Sequence, residues 1–291
     1  MKCTNLPILK IEGRSGCRLE VINNDGVYRI RKFSKDASYN TRLVLQAGKQ
    51  KDFLLRKPSN DFFTPEVIAI SEGEDIWFEM PYLHGQKFSE FFERSSIVEV
   101  KKLAEKLNRY FERSFAEATI KPIDKKIFHD KINVLADLLL SRKDIDQLML
   151  DRVFKFLKKI PGSSLPERIC HGDFTFSNMI FCEDGIYLVD FLDSFIESPL
   201  IDIVKLRQDT YFYWSLLIEN SLPESRSAKI IQVFNYIDAE VTKGLSGNVF
   251  VDQWYGYLQI FNLLRILPYV HRVPEIQFVE QGIKKIFNTA Q

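Results

Sequence analysis

One polar constellation constrains this 291-residue chain more than any other feature. His171-Gly172-Asp173 opens the run HGDFTFSN, Asn178 closes it, and Asp190 follows within Val-Asp-Phe. A lone Asp is most often a turn residue or a helix cap. An Asp, an Asn five residues later and an Asp at the end of the next strand form a rarer set. In phosphoryl transfer the first accepts the proton of an attacking hydroxyl, and the other two hold magnesium on the phosphates of ATP.

Composition agrees with an ordinary globular protein. The length suffices for a large core, as one big domain or two lobes. Hydrophobic residues make up 45% and charged residues 27%, which is ordinary for a soluble globular chain. A formal net charge of +1 gives no global field toward nucleic acid or a membrane surface. Charge is uneven, however: Val27 to Lys57 holds nine Lys or Arg against two Asp, either a solvated face or a patch for an anion. No two of the four cysteines have C-x-x-C spacing, so neither a zinc site nor a redox motif is indicated. The start MKCTNLPILKIEG has no apolar run of signal-peptide length, and no eighteen-residue apolar stretch exists. The expectation is a cytoplasmic chain with no membrane span and no nucleic-acid partner.

The pattern changes once along the chain. Residues 17–22 and 27–33 read as strands around Asn23-Asn24-Asp25-Gly26, whose residues tolerate the positive φ of a hairpin turn. Leu43, Ala47, Gln50 and Leu54 fall at helical spacing between Tyr39 and about Leu55. Residues 67–70 and 76–80 read as short strands, which predicts an antiparallel lobe of five strands with one helix after the third. After Gly85 the chain turns helical. Ser96-Ile97-Val98-Glu99 is a capping box for a helix through Leu103, Leu107 and Phe111, and 130–141 and 149–159 are two further helices. The stretch 169–191 interrupts with loops and short strands, and helices resume from Pro199.

The segment ICHGDFTFSNMIFCEDGIYLVDFLDS resembles the catalytic core of the aminoglycoside phosphotransferase and choline kinase superfamily, with weaker matches over nearly the whole chain. That resemblance implies an α+β, bilobal, protein-kinase-like fold. It would have a nucleotide-binding lobe over 1–81 and a larger, mostly helical lobe for catalysis and acceptor binding over 82–291. It implies Asp173 as catalytic base, Asn178 and Asp190 as magnesium ligands, His171 as a scaffold for the loop, and Asp202 of SPLIDIV as a brace. The cofactors it implies are ATP and Mg²⁺.

The nucleotide half is read from weaker signals. Gly13, Ser15 and Gly16, in Gly-Arg-Ser-Gly before the first hairpin strand, would let backbone N–H groups approach phosphates. In VYRIRKF, Tyr28, Ile30 and Lys32 share one face, so Lys32 is favoured over Arg31 as the phosphate lysine. No Glu occurs between Glu20 and Glu66, so the helical Glu that pairs with this lysine in kinases is missing, and Gln46 and Gln50 stand on that helix instead. WFEMPYLHGQKF resembles the family's hinge, in which the Pro81 carbonyl and the Leu83 N–H would meet the adenine.

The acceptor is expected to be a small molecule bearing a hydroxyl: a sugar or polyol first, then a choline-like amino alcohol, then an aminoglycoside. Trp214 and Trp254 are candidates for an aromatic cage around a quaternary ammonium, or for ordinary packing. The alternatives are a nucleotide-binding pseudokinase scaffold and a protein kinase. The intact Asp173, Asn178 and Asp190 count against the first, and HGD in place of His-Arg-Asp counts against the second.

Overall fold

The computed structural model describes residues 10–12, 16–57, 59–219 and 222–289. They form two compact units. The first holds the described residues through Phe91 together with 171–173 and 177–194; the second holds the rest.

The first unit is built on a five-stranded sheet of order β1-β2-β3-β6-β5, all antiparallel. Its strands are β1 (Lys10–Glu12), β2 (Arg18–Asn24), β3 (Val27–Phe33), β5 (Ala69–Ile70) and β6 (Trp77–Pro81). The β2–β3 turn forms where Asp25 and Gly26 take φ of 53° and 89° and Asn23 Oδ1 accepts from the Gly26 amide at 2.7 Å. Asp36 caps a short 3-10 turn that leads into α1 (Asn40–Arg56). Leu43 and Ala47 of α1 pack with Val67, Phe78 and Met80 to make the core. A second sheet joins β4 (Phe62–Phe63), β10 (Gly185–Leu188) and β9 (Met179–Cys182), in the order β4-β10-β9. The sheet has the five strands expected, with one helix after the third; four fall on ranges read from sequence, the one over 67–70 being confined to Ala69–Ile70, and β1 falls on none.

The first unit ends within α2 (Phe88–Arg94). The second carries α3 (Ile97–Ala116), β7 (Thr119–Pro122), α4 (Lys125–Leu139), α5 (Gln147–Leu157), β8 (Ser164–Glu167), α6 (Pro199–Thr210), α7 (Trp214–Ile218), α8 (Glu224–Gly244), α9 (Val249–Leu264) and α10 (Val273–Thr289). The capping box at α3 closes as read: the Ser96 amide donates to Glu99 Oε2 at 2.8 Å, and the Glu99 amide to Ser96 Oγ at 3.3 Å. Helices α4 and α5 begin earlier than their apolar spacing indicates, because Asp124 and Asp146 accept from amides of their first turns. Helix α6, and α9 from Tyr257 onward, are buried on nearly every side and form the centre of this unit. Trp254 of α9 is 0% exposed and packs against Phe128 and Tyr257, so it is a core residue and not a wall of an aromatic cage. Among the described residues no helix is long and apolar enough to cross a membrane. The larger helical lobe and the smaller sheet-containing lobe together give the bilobal class expected.

Candidate active site

A hairpin brings the two expected metal ligands together. Strands β9 and β10 pair antiparallel with Leu188 opposite Met179, and the Val189 amide donates to the Asn178 carbonyl at 3.0 Å. Asn178 therefore precedes the first strand and Asp190 follows the second at the same open end. The segment of Asp173 is tied to that end by two bonds. The Leu192 amide donates to the His171 carbonyl at 3.1 Å, and His171 Nε2 donates to the Val189 carbonyl at 2.9 Å. Asn178 Nδ2 then donates to both Asp173 O and Asp173 Oδ2, each at 2.9 Å. Three residues spread over eighteen positions are thus gathered by backbone pairing and by the His171 and Asn178 side chains.

Backbone strain marks the same place. Asp190 has φ of 60°, a left-handed conformation that non-glycine residues adopt at a cost and that accumulates at functional sites. Gly172 has φ of 84°, and a Cβ there would lie 2.4 Å from the Leu192 carbonyl, so only glycine fits.

His171 is fully buried. Its Nδ1 accepts from the Asp173 amide at 3.2 Å, which leaves the proton on Nε2. Burial, with Lys49 adding to it, pushes its pKa down to about 4 despite Asp173 and Asp190 nearby. It is a neutral clamp between two loops. The unfolded chain protonates it below about 6.5 and the folded protein only near 4, so stability is lost as pH falls through that window. From pH 7 to 5 this amounts to about 2 kcal/mol. His171→Gln is expected to flatten the decline in urea midpoint between those pH values; an unchanged slope would show that another group carries it.

Lys32 lies on β3 with only 3% exposure. Its Nζ donates to Asp190 Oδ1 at 3.1 Å and to Gln46 Oε1 at 3.4 Å. Burial works against its charge, but the attraction of Asp190, with further help from its hydrogen bond, Cys17 and Tyr39, leaves the pKa raised. Arg31 points to the opposite face with Arg29. Both bond to Glu79 of β6, at 3.0 and 2.8 Å, and Arg31 lies over the Trp77 ring. Gln46, whose Nε2 donates to the Tyr39 hydroxyl at 3.1 Å, occupies the place of the missing Glu, and Asp190 supplies the negative charge.

Of the residues expected at the hinge, Pro81 ends β6 and Leu83 lies two residues beyond it. The Ser34 amide bonds to Ile76 O and the Tyr82 amide to Tyr28 O, so even-numbered backbone groups of β6 face β3. Odd-numbered ones face β5, where Trp77 O and Glu79 O accept from Ser71 N and Ile68 N. Pairing with β5 stops at Glu79, and the alternation directs the Pro81 carbonyl to that open edge, two residues before Leu83. Gly16 has φ of 75°; Gly13 and Ser15 lie outside the described residues.

In the second unit, Tyr110 donates to Asp202 Oδ2 at 2.7 Å and stacks on Phe174 of the loop after Asp173. Burial and Asp202 push the Tyr110 phenol pKa up, so it stays a donor. Two residues escaped the sequence reading. Asp209 accepts from the Phe176 amide at 2.7 Å and the Ser215 amide at 3.0 Å, and so anchors the far end of the same loop. Lys49 of α1 is buried and donates to the Leu192 carbonyl at 2.8 Å. The available signal was spacing: Asp209 is two turns beyond Asp202, and Lys49 falls three residues after Gln46, on the inward stripe of its helix.

The donor set suits magnesium. With its Nδ2 turned to Asp173, Asn178 presents Oδ1 away from that bond. Asp190 is 41% exposed at its side chain and spends one oxygen on Lys32. Two hard oxygens plus phosphates and water are the usual shell for Mg²⁺.

A small lobe with a buried lysine on its third strand, and a hairpin presenting Asn and Asp at its open end, agree with a protein-kinase-like phosphotransferase fold. Residues 54–218, more than half of the chain, match the phosphotransferase enzyme family (APH), and the chain belongs to that family. It is similar to the crystal structure of aminoglycoside phosphotransferase APH(4)-Ia, with a TM-score of 0.59 and 12% identity over 98% of this chain and 94% of that one. It is also similar to APH(2")-IIia in its GDP and kanamycin complex, with a TM-score of 0.56 and 14% identity over 100% of this chain and 94% of that one. At these identities the likeness is one of fold. No curated protein sequence matches the chain. The activity class that comes with the family is phosphotransfer.

Proposed function

We propose that the chain moves the γ-phosphate of ATP to a hydroxyl of a sugar or polyol, with Asp173 as base. The observation that carries this reading is the convergence of Asp173, Asn178 and Asp190 at one hairpin end, with Lys32 on Asp190. Asp173 accepts the hydroxyl proton and aims the oxygen, while Asn178 holds the carboxylate by its amide. Asn178 Oδ1 and Asp190 would hold magnesium, which would supply positive charge against the phosphates. Lys32 adds its own charge to them. His171 and Asp202 support the loop. The Pro81 carbonyl and the Leu83 N–H take the adenine edge, and Gly13, Ser15 and Gly16 let backbone amides approach the phosphates. Residues 1–81 serve the nucleotide and 82–291 serve catalysis and the acceptor.

The buried Trp254 removes one support for a choline-like acceptor. Aminoglycosides remain worth testing because a solved relative in fold is a kanamycin complex. ADP release with MgATP, measured across sugars, polyols, amino alcohols and aminoglycosides, tests the order; strongest stimulation by an amino alcohol would reverse it.

Lys32→Ala is expected to raise KM for ATP roughly tenfold or more, because a charge-assisted contact is worth about 1.5–3 kcal/mol. Arg31→Ala, which frees a Glu79 contact and the Trp77 ring, should change it much less. The reverse order would move the phosphate role to Arg31.

A further inference from the structure

The inward stripe of α1 carries Gln46, Lys49, Gln50 and Phe53 at helical spacing. One of these is a cation at 9% exposure. An ammonium in that position loses much of its water, and an apolar side chain of the same length would serve packing better. Its surroundings give it a different use. Nζ donates to the Leu192 carbonyl at 2.8 Å, and the amide of Leu192 donates to the His171 carbonyl at 3.1 Å. Leu192 is therefore held by α1 on one side and by the segment of Asp173 on the other. It lies two residues beyond Asp190, and Gly172 directly precedes Asp173.

A Cβ on Gly172 would stand 2.4 Å from the Leu192 carbonyl and 3.1 Å from Lys49 Nζ. Three segments thus meet with no space for a side chain. One helical turn earlier, Gln46 accepts from Lys32. A single helix touches both the nucleotide lysine and the crossing of the two catalytic segments.

We propose that Lys49 is a positioning residue for phosphoryl transfer: its ammonium pins the crossing of Gly172 with Leu192 and so sets the placement of Asp173 relative to Asp190. This rests on the roles given above to those two carboxylates. Packing alone does not require a charge there, whereas fixing a carbonyl under a strained loop does.

Lys49→Met keeps length and removes charge and donor; Lys49→Arg keeps both. In the full chain, Lys49→Met is expected to lower kcat at least about tenfold at saturating MgATP, with KM for ATP changed less than about threefold. Lys49→Arg should recover part of kcat. Where Lys49→Met does not fold, Lys49→Gln serves, with kcat expected between Met and Arg. Calorimetry of ATP binding against Mg²⁺ concentration needs no acceptor, and the Mg²⁺ requirement should rise in Lys49→Met. Unchanged kcat and Mg²⁺ requirement in a folded variant would overturn the proposal, as would activity lost only in step with folded protein. Asp173→Asn, assayed in parallel, separates the two readings. Full turnover in that variant defeats the base assignment, whereas its inactivity beside an unaffected Lys49→Met defeats only the role of Lys49.

Discussion

Replacing Asp173 with Asn is expected to lower kcat about 10³-fold while MgATP affinity stays within about threefold of wild type. The asymmetry follows from the contacts. Asn178 Nδ2 donates to Asp173 O and Oδ2, and an Asn side chain at position 173 still offers a carbonyl oxygen for the second bond. The loop keeps its shape and Asn178 its orientation. Only the capacity to take a proton is removed. Steady-state turnover paired with direct nucleotide titration checks this. A large loss of nucleotide affinity would mean that Asp173 serves the metal more than the acceptor.

Asp190→Ala is expected to act twice. On its proposed role it removes a metal ligand, which should cost at least about 10²-fold in kcat and weaken nucleotide binding that depends on Mg²⁺. It also strands the buried Lys32 ammonium, whose ion pair with Asp190 spans 3.1 Å and whose other described acceptor is the Gln46 carbonyl at 3.4 Å. Breaking a fully buried pair costs about 3–5 kcal/mol; with the Asp190 side chain 41% exposed, about 2 kcal/mol is expected. The two effects separate in a double variant. Adding Lys32→Met should restore much of the urea midpoint and none of the activity, a coupling that a double-mutant cycle reads directly. Equal stability in wild type and Asp190→Ala would show that the ion pair contributes nothing to the fold.

What was legible beforehand was what depends on local pattern. Alternation along β3 put Lys32 and Arg31 on opposite faces, as the structure has them, because side chains of a strand change face at every residue and the register with β6 preserves that. The Asn23–Gly26 turn and the Ser96 capping box were readable for the same reason. Long-range partnerships were not. The absence of a Glu on α1 left Lys32 without a visible counter-charge, and the counter-charge proved to be Asp190, 158 residues away. Glu79 similarly collects Arg29 and Arg31 across about fifty residues, which accounts for part of the basic stretch as strand-to-strand pairing. Lys49 was missed because α1 was recognised by its apolar positions, and a charged residue on the buried side carries no hydrophobic signal. Trp254 shows the converse: an aromatic in a helical run signals burial equally well for a core as for a ligand cage.

The most direct test of the central claim is to follow ATP labelled at the γ-phosphorus in the presence of Mg²⁺ and pooled hydroxyl-bearing acceptors, with wild type beside Asp173→Asn. The account predicts label in a phosphate monoester of a small molecule, formed by wild type and nearly absent with the variant. Label that appears only as inorganic phosphate, or equally with both proteins, would contradict it.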